Sequence, residues 1–99
     1  MDVKLGYTVK LKELEEVGTL SGNVIWYDKE TDEELFDTRY PNTRPPFGKT
    51  MIVIKLEEKM SPNYIAIAAK NRQNDWKHWW WIPERWIKEI IKSEVMNYG

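Results

Sequence analysis

The chain has 99 residues, no cysteine and a formal net charge of −1, and 41% of its residues are hydrophobic. These values fit one globular domain over residues 1–99, and they exclude a disulfide framework, a cysteine-based zinc site and the strongly basic surface of a duplex-DNA-binding protein. No stretch reaches the ~20 apolar residues of a membrane span and no signal peptide is recognised, so we expect no membrane association and a cytoplasmic location.

The first part of the chain predicts two strands. Apolar and polar side chains alternate over residues 3–11, as in a strand with one buried face. Residues 12–19 fit either a helical turn or a charged hairpin loop, and Gly18 ends them. After a Ser-Gly turn signal, residues 23–27 are rich in β-forming residues and predict the second strand.

Residues 28–48 predict a long acidic and proline-rich loop. Residues 28–37 hold six acidic residues and one lysine, and prolines 41, 45 and 46 follow. Loops longer than about 12–15 residues are usually functional or mobile, and a short ordered piece fits inside one of this length. The spacing of the acidic residues does not match an EF-hand calcium loop, and a solvated loop is the simpler interpretation.

Three strands are predicted in the second part of the chain. Residues 49–56 contain a continuous apolar run that is typical of a central strand, and residues 64–69 form the next one. Residues 76–82 alternate, which turns Trp80 inward and leaves Trp79 and Trp81 on the other face. We expect at least one of these two tryptophans to stay partly exposed.

A C-terminal helix is predicted over residues 83–96. Pro83 suits the first turn of a helix, and Trp86, Ile87, Ile90 and Ile91 follow at helical spacing. With five short, mostly antiparallel strands, this helix favours a mainly β fold, a small SH3-like five-stranded barrel. The alternative is an open α+β antiparallel sheet with one helix packed on it.

Three motifs resemble those of small SH3-like barrel proteins, many of them from phages. They are the strand Gly-Tyr-Thr-Val-Lys-Leu at 6–11, the Gly-x-Val-Ile segment at 22–25, and Trp-Trp-Ile-Pro-Glu-Arg-Trp-Ile at 80–87. The resemblance covers about a third of the chain and implies a binding module. It provides no catalytic residues.

Our first hypothesis is a non-enzymatic intracellular binding protein, encoded by a phage or mobile element, that inhibits or modulates a host protein by direct contact. Small size, a long charged loop and six tryptophans motivate it. A homodimer is also compatible with a tryptophan-rich face and an apolar helix. The expected contact residues are Glu33, Glu34, Asp37, Arg44, Phe47, Trp79 and Trp81.

The alternative hypothesis is binding of single-stranded nucleic acid or a nucleotide. Aromatic rings stack on bases and basic side chains contact phosphates, and both residue types occur together late in the chain. Ordinary surface charge and core packing explain the same pattern more simply. The residues expected to form this site are Lys70, Arg72, Lys77, Trp79 and Trp81.

No catalytic, metal or cofactor motif is present, so we predict that the protein is not an enzyme and has no cofactor. His78 is the single histidine, and without a second histidine or any cysteine it lacks partners for a metal site. As an enzyme, the protein would need a carboxylate beside His78 as a general acid–base pair.

Overall fold

A computed structural model of the chain describes residues 3–57, 64–68 and 79–92. The chain divides into two compact units. We call residues 1–11 with 49–99 the sheet unit, and residues 12–48, which lie between the two parts of the sheet unit in sequence, the inserted unit.

The sheet unit is built on one five-stranded antiparallel sheet. Its core is made by fully buried residues that alternate along the strands, such as Val9, Leu11, Val53, Ile67 and Ile82. The strands are β1 (Thr8–Leu11), β5 (Thr50–Glu57), β6 (Tyr64–Ala68), β7 (Trp79–Pro83) and β8 (Ile87–Lys92), in the spatial order β7-β6-β5-β1-β8.

The long strand β5 connects two parts of this sheet. Its first residues pair with β1, and the residues from Ile52 onward pair with β6. The register shifts between Val53 and Lys55, and such an irregularity lets a strand bend.

The two edge strands of this sheet are adjacent in sequence. β7 and β8 are joined by the 3-10 turn Glu84–Trp86 alone. In a flat sheet of five strands about 4.8 Å apart, the edges would be roughly 19 Å from each other. Three residues of 3-10 helix advance only about 6 Å, so the edges must approach one another where the turn links them.

The inserted unit contains a three-stranded antiparallel sheet, formed in spatial order by β2 (Gly18–Ser21), β3 (Ile25–Asp28) and β4 (Glu34–Asp37). Gly22 and Asn23 turn the chain between β2 and β3 with φ angles of 61° and 57°, as a type I′ turn requires. The remaining elements of the inserted unit are α1 (Leu14–Val17) and the 3-10 turn Pro41–Thr43. Its buried hydrophobic side chains are Leu14, Val17, Phe36 and Phe47.

The inserted unit begins and ends at neighbouring points of the backbone. Within it, the N–H of Gly48 donates to the carbonyl oxygen of Lys12 at 2.9 Å. Within the sheet unit, the N–H of Leu11 donates to the carbonyl oxygen of Lys49 at 3.0 Å. Each unit therefore has its own backbone hydrogen bond between the two chain segments that lead to the other unit.

The prediction of a closed SH3-like barrel is wrong. The structure is mainly β, but the strands form two antiparallel sheets, and in the described residues no ladder joins β7 to β8. Sequence pattern places residues in strands but does not show whether the last edge is paired. Residues 28–48, predicted as a long loop, contain β4 and the 3-10 turn Pro41–Thr43.

The C-terminal helix predicted over residues 83–96 is also wrong, and with it the helix of the alternative fold. Residues 84–86 are a 3-10 turn and Ile87–Lys92 is strand β8; residues 93–96 lie outside the described residues. β-Branched isoleucines prefer strands, and pairing with β1 opposes Leu11 to Ile87, both buried. That tertiary pairing outweighs the helical spacing.

Candidate functional site

The first acidic segment of the inserted unit is the start of α1. Glu13 caps the helix: its N–H donates to Oε1 of Glu16 at 3.2 Å, and its side chain accepts the N–H of Glu16. This reciprocal pair is a capping box. Because Leu14 and Val17 are buried, the glutamates at 13, 15 and 16 are on the exposed side of the helix.

The second acidic segment is the turn between β3 and β4, and Asp28 organises it. The Asp28 side chain is buried, and its Oδ1 accepts the N–H groups of Glu30 at 2.8 Å and Thr31 at 3.3 Å. Backbone donors thus satisfy a carboxylate that would otherwise be costly to bury. The turn leaves Glu30, Asp32 and Glu33 exposed.

Lys29 holds the two acidic segments together. Its N–H donates to the carbonyl oxygen of Val17 at 3.0 Å and its Nζ donates to that of Glu15 at 2.7 Å. Residues 12–33 contain seven acidic residues and two lysines, a net charge of −5. We call their exposed carboxylates the acidic surface: Glu13, Glu15, Glu16, Glu30, Asp32 and Glu33.

Residues 34–48 have no net charge, because they contain two acidic residues and two arginines. The guanidinium group of Arg39 forms a bidentate ion pair with Asp37. Its Nη2 donates to Oδ2 at 2.7 Å and its Nε donates to Oδ1 at 3.0 Å. The side-chain hydrogen bond from Arg39 and the one from its backbone N–H lower the pKa of Asp37. Two of the predicted contact residues, Glu34 and Asp37, therefore lie in a neutral part of the unit.

A groove of about 390 Å³ runs along β4 beside this ion pair. The guanidinium carbon of Arg44 is 5.8 Å from the centre of the Phe36 ring, a cation–π contact. Phe47, also predicted to contact a partner, is only 4% exposed and is therefore a buried residue. The residues lining the groove are Glu34, Leu35, Phe36, Asp37, Tyr40 and Thr43.

A second groove, of about 360 Å³, lies on the other side of the three-stranded sheet from Phe36. Thr19 and Tyr27 are directly opposed across β2 and β3, so their side chains share one face, and Ser21 is two residues further along that face. Asp32 completes the lining. Three hydroxyl groups and one carboxylate make this groove suited to hydrogen-bonding, cationic groups.

The predicted tryptophans of the sheet unit lie on one face of β7. Trp79 and Trp81 are half-buried, and their rings form an edge-to-face pair with centroids 5.7 Å apart at 76°. Nζ of Lys55 is 5.9 Å from the centre of the Trp81 ring. In the strand register, alanine 66 separates Lys55 on β5 from Trp81 on β7. A cation and two indole rings thus share one surface of the sheet unit.

Four residues lie outside the described residues: Lys70, Arg72 and Lys77 of the predicted nucleic-acid site, and His78. Within residues 3–57, 64–68 and 79–92, no group of three or more histidine, cysteine, aspartate or glutamate side chains is placed to hold a metal ion. Sequence reasoning missed Lys55 and the glutamates of α1. The Glu-Leu-Glu-Glu capping pattern at 13–16 was the available signal for the latter.

Comparisons of the chain with protein-family models, curated proteins and solved structures find no match. In the part of the chain that the structure describes, no helix combines the length and apolar character required to cross a bilayer.

Proposed function

We propose that this protein is a binding module that uses its acidic surface to contact a basic surface of a partner protein. The observation that carries the proposal is the joining of two acidic segments, α1 and the β3–β4 turn, through Lys29. Fixed carboxylates on a folded unit attract a basic partner without the loss of conformational freedom that a mobile acidic loop would suffer on binding.

The charge distribution gives this contact its expected character. The inserted unit has nine acidic and four basic residues, whereas the sheet unit has seven and eleven. Complementary charge mainly raises association rates and selects the partner, and salt screens it over about 8–10 Å. The proposal therefore includes association that weakens as ionic strength rises.

The rest of the first hypothesis stays a prediction. Absence of cysteine supports a reducing, cytoplasmic setting for the contact. A non-enzymatic role, phage origin and inhibition of a host protein depend on the sequence and on the SH3-like resemblance. The homodimer depends on the tryptophan-rich face alone, because the apolar helix that also supported it is strand β8.

The test is a capture experiment with two double variants of equal charge change. In Glu15→Lys/Glu33→Lys both changes fall on the acidic surface, and in the control Glu34→Lys/Glu89→Lys neither does. We expect the wild type and the control to retain the same basic protein and the first variant to lose it. Equal retention by all three would contradict the proposal.

A second candidate function is binding of single-stranded nucleic acid or a nucleotide by the sheet unit. The contact of Lys55 with the Trp81 ring, next to Trp79, places a cation beside indole rings that can stack on bases. We expect oligothymidylate to quench tryptophan fluorescence in low salt. Trp81→Phe and Lys55→Gln should each weaken this quenching, whereas Trp26→Phe, in the inserted unit, should not; no quenching of the wild type would remove this candidate.

A further inference from the structure

The four edge strands of the two sheets differ in how well they could accept another strand. Edge strands of natural proteins are commonly blunted by bulges, charges or proline. β8 shifts register against β1 twice, leaving out Lys88 and Ile91. β4 shifts once against β3, leaving out Leu35. β7 is regular but ends in Pro83, and the residues before it lie outside the described part of the chain.

β2 has none of these protective features. It pairs with β3 at four consecutive positions without a shift, and its sequence Gly-Thr-Leu-Ser contains no charge and no proline. In the described residues β3 is its sole ladder partner. Its last three residues are exposed, with Leu20 38% exposed.

The hydrogen-bonding groups that β2 offers can be assigned from the ladder. The N–H of Asp28 donates to the carbonyl oxygen of Glu33 at 2.8 Å, so Asp28 directs its N–H away from β2. Pairing polarity alternates in an antiparallel ladder. Thr19 therefore exchanges hydrogen bonds with β3, and Leu20 turns its N–H and C=O to the outer edge.

The groove beside β2 indicates which side chains an added strand would carry. A residue opposite Thr19 or Ser21 would point to the face that holds Tyr27 and Asp32, and Asp32 is exposed there. A lysine or arginine at that position would place its charge on the face that holds the Asp32 carboxylate, whereas a residue opposite Leu20 would meet an apolar side chain. The matching segment alternates basic and apolar residues.

We propose that the outer edge of β2 binds an extended basic segment of the partner protein by strand addition, with a basic side chain in the Asp32 groove. This mode rests on the proposed function, because it supplies the geometry of the acidic contact. A second copy of the chain is the poorer occupant, because two inserted units, each with nine acidic and four basic residues, would repel each other.

The experiment uses the full chain labelled with ¹⁵N and an acetylated peptide of about six residues that alternates lysine and valine. Strand addition places valine opposite Leu20, so the Leu20 amide signal should shift and its hydrogen exchange should slow. The control peptide carries N-methyl groups on its valines, which keeps the charge and removes the N–H groups that would donate to Leu20. We expect it to bind about tenfold more weakly or not at all.

Three variants distinguish the contributions of the backbone N–H, the Leu20 side chain and the Asp32 charge to peptide binding. Leu20→Pro removes the N–H that points to the outer edge and leaves the hydrogen bonds between β2 and β3 in place. It should weaken peptide binding by about tenfold. Leu20→Ala retains that N–H and should change binding by no more than about threefold. Asp32→Asn tolerates the φ of 63° at this position and should weaken binding by about threefold, with a smaller dependence on salt.

The outcomes distinguish the binding mode from the proposed function. Equal binding of the two peptides overturns strand addition, and so does an unshifted Leu20 amide up to millimolar peptide. If that peptide binding is nevertheless lost in Glu15→Lys/Glu33→Lys, contact through the acidic surface stands. Binding that depends on the valine N–H groups but not on those two glutamates supports strand addition and contradicts the proposed function.

Discussion

The two units differ in both chain connectivity and charge. The sheet unit joins residues from the two ends of the described chain, since β1 pairs with both β5 and β8. The inserted unit is continuous, and each of its strands pairs with its neighbour in sequence. The first has four more basic than acidic residues and the second has five more acidic than basic residues. The near-neutral whole chain therefore combines two units of opposite net charge.

The largest expected effect tests whether the two units are stabilised separately. Ile67 is fully buried in the sheet unit, so Ile67→Ala should lower the free energy of unfolding by about 2–4 kcal/mol through the cavity it leaves. Hydrogen exchange should accelerate in the sheet unit, while the inserted unit retains its protection. The control Ile91→Ala, at a 49% exposed site, should change stability by at most about 0.5 kcal/mol. Equal acceleration in both units would show a single cooperative unit.

Two glycines of the inserted unit separate backbone strain from steric conflict. Gly48 and Gly22 have φ of 73° and 61°, but a Cβ at Gly48 would lie 2.5 Å from Oε2 of Glu13, whereas one at Gly22 meets nothing within 4 Å. Gly22→Ala should cost about 1 kcal/mol through strain alone. Gly48→Ala should cost about 2–3 kcal/mol, because the capping box at α1 must also move. Urea denaturation measures both, and equal costs would contradict the steric argument.

Removing the inserted unit tests whether the sheet unit depends on it. Replacing residues 12–48 by Asn-Gly joins Leu11 to Lys49, whose backbones are already hydrogen-bonded, through a two-residue hairpin turn. We expect a folded sheet unit whose stability changes on the order of 1 kcal/mol. Near-ultraviolet circular dichroism and the amide spectrum report the outcome, and loss of cooperative unfolding would refute the independence of the sheet unit.

The smallest effect concerns the neutral part of the inserted unit. The hydrogen bonds from Arg39 depress the pKa of Asp37 below its ordinary value of 3.8. The stability that this interaction contributes is present above the unfolded pKa and is lost as pH falls through the folded one, below about pH 4. Arg39→Gln should return the pKa of Asp37 toward 3.8, as a carboxyl NMR titration would detect. Arg44→Gln is the control, and an unchanged titration in Arg39→Gln would contradict the assignment.

The strands that sequence analysis located have regular alternation or dense apolar runs. Each of the five predicted strand regions overlaps an observed strand. Burial of one face imposes a period of two on the alternating regions, whereas the apolar run of the central strand β5 has three consecutive buried residues, Met51, Ile52 and Val53. Strand β8 was not predicted, because its register shifts interrupt the alternation of buried and exposed residues. Its two register shifts leave out Lys88 and Ile91, so Ile87, Ile90 and Ile91 acquire a spacing that imitates a helix.

The candidate sites were only partly accessible to sequence reasoning. The acidic turn at 28–33 was visible as composition, but its union with α1 depends on hydrogen bonds from Lys29 to residues more than ten positions away. Phe47 was predicted as a contact residue because it lies in the long proline-rich segment, and it is buried. Lys55 joins the tryptophans through the register of three strands, which no local pattern encodes.

The pairing of β1 with β8 also sets an order of events during folding. It joins Thr8–Leu11 to Ile87–Lys92, so the sheet unit cannot be completed on the ribosome before Lys92 has emerged. The hairpins of the inserted unit connect near neighbours, and such local contacts form faster than distant ones. A growing chain would therefore carry a folded acidic unit while β1 still waits for its last partner strand.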